Sequence, residues 1–256
     1  MINNFMKSPQ ANSLAVIVLI ALVITWFTSL VLSLRDVPVA TDKGWYARLL
    51  AVISLLGIPA ALDLLQIQGT AFFFAAIVFV VFVLNIVIPI LRMTGKLSNS
   101  LIDGWQKWVI PISVIGGLAV AGYLTFIEAT GTPVMCGPTG GCADVQNSKY
   151  AILFGVLPVG VLGLIGYLAI LVGWLAWQFG PDASQRIGAL SIWGMCIFGV
   201  LFSIYLTFLE PFVIGATCMW CISSAVLMMI LLLVSTPAAQ KVLTMTNEEE
   251  YSPEPL

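Results

Sequence analysis

The stretch ATCMWCISSA, residues 216–225, opens an apolar run that continues to about residue 236. It sets Cys218 and Cys221 in a C-x-x-C spacing, about one turn apart on one face of a helix that would start there. A helix N-terminus favours a thiolate, and C-x-x-C thiols are commonly acidic for that reason. Taken alone, the pair fits half of a metal site, a structural bridge or a working dithiol. The apolar run behind it is long enough to cross a bilayer core of about 30 Å. Runs of the same kind recur along the chain and decide the architecture.

The chain has 256 residues, of which 60% are hydrophobic and 9% charged; soluble domains carry about 25% charged residues. Seven spans can be read, at about 13–34, 47–66, 70–92, 106–128, 151–178, 187–209 and 217–236. The second is the weakest, because it contains Pro59 and Asp63. The first is too long for a signal-peptide core and lacks a small-x-small cleavage site, so it reads as a retained helix. The fold class is therefore an all-α, polytopic membrane protein. The closing TNEEEYSPEPL is acidic and reads as a disordered tail.

Composition also excludes chemistry. A net charge of −2 without a basic patch argues against nucleic acid as a partner. The absence of histidine removes the commonest general base, metal ligand and haem ligand. What remains is five cysteines, a few carboxylates or a bound cofactor.

Lys and Arg near the span ends orient the chain. Arg35, Lys43, Arg48, Arg92, Lys96, Lys107, Arg186 and Lys241 fall on one side, and Lys7 and Lys149 on the other. The basic side reads as cytoplasmic, which puts the N-terminus outside and the C-terminus inside. Cys136, Cys142, Cys218 and Cys221 then share the outer side, where disulfides persist. An internal repeat agrees. YLTFIE (123–128) closes the fourth span and YLTFLE (205–210) the sixth, and a cysteine follows each glutamate after eight residues.

Cys136 and Cys142 lie in MCGPTGGCADVQNSKY, a Gly- and Pro-rich segment that reads as a mobile loop. A loop dithiol can meet a soluble partner and then a fixed dithiol. A four-cysteine zinc site would need C-x5-C and C-x2-C ligands far apart in sequence, a poor fit, so no metal is expected. Static disulfides in a non-enzymatic carrier or scaffold are the other reading. Cys196 stands alone in an apolar span and reads as packing. Trp220 reads as an interfacial aromatic or a pocket wall; Asn147 and Ser148 read as caps for a short helix running into KYAILFG, with a role in the site as the alternative for Ser148. Glu128, Glu210 and Asp144 are the candidate proton carriers.

From about Gly104 to Thr236 the chain resembles the vitamin K epoxide reductase family. The resemblance rests on the loop pair Cys136 and Cys142, then Ser148 six residues on, then Cys218 and Cys221 opening the last of four helices. In DsbB-type proteins the C-x-x-C comes first, so the order here favours this family. The resemblance implies a four-helix bundle around a quinone of the menaquinone, phylloquinone or ubiquinone type. It implies that Cys136 exchanges with a thioredoxin-fold (DsbA-like) donor, that Cys142 forms a mixed disulfide with Cys218, and that Cys221 faces the quinone. Ser148 would sit on the short helix covering the pocket, with Trp220 a further pocket candidate. Many bacterial relatives continue into a thioredoxin-like domain; this chain ends about 20 residues past the last helix, so the donor is expected to be separate. Animal members have a tyrosine four residues after the C-x-x-C; here that residue is Ala225, so the resemblance carries over quinone reduction without epoxide reduction. The implied organisation is an N-terminal region, 1–103, with about three extra transmembrane helices of unassigned role, a catalytic bundle, 104–238, and an acidic cytoplasmic tail, 239–256. The implied activity is membrane thiol:quinone oxidoreduction supporting disulfide formation outside the cytoplasm, in a bacterial inner membrane.

Overall fold

The computed structural model describes residues 2–33, 106–136, 140–153 and 155–251. Its elements are α1 (Ile2–Phe5), α2 (Pro9–Ser33), α3 (Gln106–Thr130), α4 (Cys142–Gln146), a hairpin of β1 (Ile152–Leu153) and β2 (Leu157–Pro158), α5 (Val159–Phe179), α6 (Asp182–Leu209) with a π-helical turn Glu210–Ile214, and α7 (Met219–Tyr251). Five helices are long and apolar enough to cross a membrane, namely α2, α3, α5, α6 with its π turn, and α7. The fold is all-α and polytopic, as expected. The expected spans at about 47–66 and 70–92 lie outside the described residues.

Helices α3, α5, α6 and α7 pack as a bundle, and α2 lies against α6 and α7. Lipid is as apolar as a leucine side chain, so close approach and polar contacts hold such helices together. A Cβ on Gly188 would lie 2.7 Å from the backbone nitrogen of Trp177, so α5 and α6 meet backbone to backbone there. On α2 the buried polar residues Asn12, Thr25, Thr28, Ser29 and Ser33 follow the face turned to the protein. Ser29 hydroxyl meets Thr236 hydroxyl at 2.7 Å and accepts from Trp193 Nε1–H at 3.0 Å, which ties α2, α6 and α7 together in the apolar interior.

Three expectations are corrected. The fifth span starts at Val159 rather than about 151, because β1 and β2 form an antiparallel hairpin first. Gly155 makes that turn at φ 72°, and Pro158, whose φ of −59° suits the position before a helix, leads into α5. The loop pair does not lie wholly in irregular chain, since Cys142 opens α4. Residues 246–251 of the acidic tail continue α7, in keeping with the helix propensity of glutamate.

Candidate redox site

The C-x-x-C is placed by the end of α6. Pro211 has no N–H for the carbonyl four residues back, and the helix widens into its π turn at this point. Gly215 closes the turn at φ 81°, with its N–H on Glu210 carbonyl at 2.7 Å. The chain then enters α7, where Ile222 N–H donates to Cys218 carbonyl at 3.0 Å. Cys218 is thus the N-cap of α7, and Cys221 sits in its first turn.

Cys218 is fully buried and its thiol is acidic for stated reasons. The Cys221 sulfhydryl beside it holds it below the usual thiol range, against the opposing effect of burial. The N–H groups of Trp220 and Cys221 and the Gln146 side chain also favour the thiolate. Glu210, 2% exposed, accepts the N–H of Cys218 at 3.2 Å through Oε2, and its carboxyl is also within reach of Cys221. Cys221 is thus a neighbour of both the Cys218 sulfur and the Glu210 carboxyl, with which it lines a small cavity.

The other pair is bonded, Cys136 to Cys142, with Cα atoms 5.6 Å apart. Cys142 is buried with Val145, Ala216 and Cys218, and Cys136, Trp220 and Cys221 pack on that cluster. The approach depends on Gly141. A Cβ there would lie 2.8 Å from Thr217 nitrogen and 2.9 Å from Ala216 Cβ, so the residue before Cys142 lies flush against the residue before Cys218. All four expected site cysteines are brought together.

Trp220 holds the loop. Its Nε1–H donates to Met135 carbonyl at 2.9 Å, and Tyr123 hydroxyl accepts from Met135 N–H at 2.9 Å. The two rings stand 4.5 Å apart at 45°. Both backbone groups of the residue before Cys136 are thereby fixed, and Trp220 is not among the residues lining the large cavity described below. Ser148 follows α4 instead of starting a helix. Its hydroxyl donates back to Val145 carbonyl at 2.7 Å, so it is not the N-cap expected from the sequence.

Two cavities meet at Cys221. One, of about 380 Å³, is apolar and lined by α3, α5, α6 and α7, with Cys221, Tyr167, Ser224 and Ala225 on its wall. Tyr167 hydroxyl lies 3.0 Å from Ser224 hydroxyl, and its ring covers Gly117, where a Cβ would overlap it. Such a volume suits a ring-sized apolar ligand with a few polar anchors. The other, of about 30 Å³, is lined by Gln146, Ser148, Glu210 and Cys221 among others. Sequence reasoning did not reach Tyr167, Ser224 or Gln146. A tyrosine amid a long apolar run was the available signal.

The repeat now has a physical meaning. Glu128 accepts the N–H of Gly160, in the first turn of α5, at 3.2 Å and 3.3 Å, as Glu210 accepts that of Cys218 at the start of α7. Each glutamate ends one helix of a pair and caps the start of another, where a carboxylate is favoured. Asp144 is exposed. Cys196 is buried in the bundle core, away from this cluster. Among the described residues no group of three or more His, Cys, Asp or Glu is placed to hold a metal.

Residues 107–236, half of the chain and the part that carries these four cysteines, match the model of the vitamin K epoxide reductase family. The chain belongs to the vitamin K epoxide reductase family. It is similar to the thiol-disulfide oxidoreductase LTO1 of Arabidopsis thaliana, with 34% identity over 113 residues, 41% of this chain and 29% of that protein. The matched part is thus less than a third of that relative's length. Residues 2–33, including α2, precede the region that the family model matches.

Proposed function

We propose that this chain is a membrane thiol:quinone oxidoreductase that takes electrons from a thioredoxin-fold donor and supports disulfide formation outside the cytoplasm. One observation carries the reading. The four cysteines form one cluster, and Cys221 is also part of the wall of the large apolar cavity. The family match and the name of the plant relative support the thiol–disulfide half of the reading. The basic residues at the far ends of the spans support the sidedness, and a bacterial inner membrane is the proposed location.

The proposed cycle is the one the family resemblance implies, and the clustering of the four cysteines supports it. A donor thiolate attacks Cys136, breaks the Cys136–Cys142 bond and is itself oxidised when its second thiol resolves the mixed disulfide. With the C-x-x-C in its disulfide form, Cys142 attacks Cys218 and releases Cys221. Cys136 then attacks Cys142, which restores the loop disulfide and leaves Cys218 and Cys221 as thiols. The net transfer is two electrons and two protons, and each step is a thiol–disulfide exchange. A quinone in the large cavity supplies the two-electron, two-proton acceptor. Cys221 lies at that cavity, Cys218 closes back on it to re-form the disulfide as the electron pair passes to the acceptor, and both thiol protons go to the acceptor, that of Cys221 by way of Glu210. Tyr167 and Ser224 are the polar anchors for a carbonyl in an otherwise apolar wall, and Ser148 belongs to the small cavity on the proton side.

The test is oxidation of a reduced thioredoxin-fold protein by the purified chain with a soluble quinone analogue. Wild type is run beside Cys142→Ser and Cys221→Ser. Quinone-dependent turnover that disappears in both variants is expected. Turnover retained in either, or cysteine pairs that stay bridged under mild reductant without turnover, would move the reading to static disulfides in a carrier or scaffold.

A further inference from the structure

The catalytic turn is held from outside the matched region. Asn12, in the first turns of α2, is fully buried. Its Nδ2–H donates to Phe5 carbonyl at 2.8 Å, which leaves Oδ1 to accept from Thr217 hydroxyl at 2.9 Å. Thr217, also fully buried, is the residue before Cys218, and it is the residue on which Gly141 rests. A second set of contacts seats the π turn on α1. Asn4 Nδ2–H donates to Val213 carbonyl at 2.9 Å, Asn4 carbonyl would lie 2.8 Å from a Cβ on Gly215, and Phe5 stacks on Phe212 at 6.2 Å. The N-terminal segment thus grips the turn on both sides of Gly215.

We infer that Asn12 is a positioning residue for the C-x-x-C, and that the segment Ile2–Ser33 is a working part of the redox unit rather than an accessory span. The inference rests on the thiol relay proposed above. Its physical content is specific: the Asn12–Thr217 bond fixes the backbone that presents Cys218 to Cys142 and to the N–H groups of α7. Release of Thr217 frees that backbone. The balance between dithiol and disulfide at Cys218–Cys221 then changes, because the two forms require different sulfur positions on the same turn.

The experiment is redox equilibration of the purified full-length chain in graded glutathione buffers, with alkylation and mass readout of the Cys218–Cys221 pair. Asn12→Ala, the near-isosteric Thr217→Val and the double variant are compared. Ser29→Ala serves as the control, since Ser29 ties α2 to Thr236 and Trp193 by side-chain bonds near the other end of the same helix. Each single variant is expected to move the equilibrium constant by about threefold or more, which is about 14 mV for a two-electron couple. The double variant is expected to move it no further than the larger single, as for two ends of one bond. Ser29→Ala is expected to lower thermal stability without moving the constant. An unmoved constant in Thr217→Val, single effects that simply add, or an equal shift in Ser29→Ala would overturn the inference. If the wild-type pair forms no disulfide in any buffer, the relay itself fails, an outcome visible before any variant is made.

Discussion

Replacing Glu210 by glutamine separates its two roles. Glutamine keeps the size and one acceptor oxygen, so the N–H of Cys218 at 3.2 Å keeps a partner. What is lost is a carboxylate, and with it a group that can exchange a proton with Cys221. The structural cost is the difference between a charge-assisted and a neutral hydrogen bond, about 1 kcal/mol. The repeat supplies a matched control. Glu128→Gln makes the corresponding exchange at Gly160 N–H, also at 3.2 Å, on a half-buried carboxyl. General base catalysis contributes about 10²–10⁴ in rate, so Glu210→Gln is expected to lower quinone-dependent turnover about 100-fold at saturating donor. Glu128→Gln is expected to stay within about twofold of wild type, because its cost falls on stability alone. The assay is steady-state oxidation of a reduced thioredoxin-fold donor, paired with thermal midpoints of both variants. Equal losses of turnover in the two, or less than about a threefold loss in Glu210→Gln, would refute the reasoning and leave both glutamates as helix caps.

Three further outcomes are expected. Trp220→Phe keeps a ring against Tyr123 but loses the bond to Met135 carbonyl, worth about 0.5–1.5 kcal/mol; faster reduction of Cys136–Cys142 by a small thiol such as dithiothreitol checks it. Gly117→Ala forces the Tyr167 ring from its place, at about 1–3 kcal/mol, and is expected to raise KM for the quinone analogue more than KM for the donor. In the reduced Cys136→Ser/Cys142→Ser chain, the lowered Cys218 thiol is expected to give thiolate absorbance below the ordinary value of about 8.5. A group with a lowered native pKa stabilises the folded form fully above its unfolded value and loses that contribution as pH falls through the native one. Denaturant stability of that chain should therefore fall as pH is lowered through the observed titration.

Much of this site was legible because its residues are unusual in an apolar chain. Two cysteines at the start of a span and two in a Gly-rich loop stand out, and the topology only had to bring them together. The YLTF(I/L)E repeat was visible as a pattern, whereas its meaning needed the partners of the two glutamates, Gly160 and Cys218. The hairpin before α5 was missed because AILFGVLPVG is as apolar as the span it precedes; Gly155 and Pro158 were its marks. Trp220 read as an interfacial ring, since nothing local shows that Met135, 85 residues earlier, takes its N–H. Asn12 was out of reach for the same reason, its partner Thr217 lying 205 residues away.

The large cavity has a rim as well as a wall. Ile165 and Phe198 line it and are themselves 54% and 62% exposed, on helices whose outer faces carry Leu168, Val172 and Leu201. Its mouth therefore opens sideways, toward acyl chains rather than toward water. For a ligand that enters by that route the relevant abundance is its mole fraction in the bilayer, and the bulk volume of the sample does not enter. Reconstituted at fixed total ligand, the chain should be less saturated as lipid is added, even though the molar concentrations of chain and ligand in the tube are unchanged.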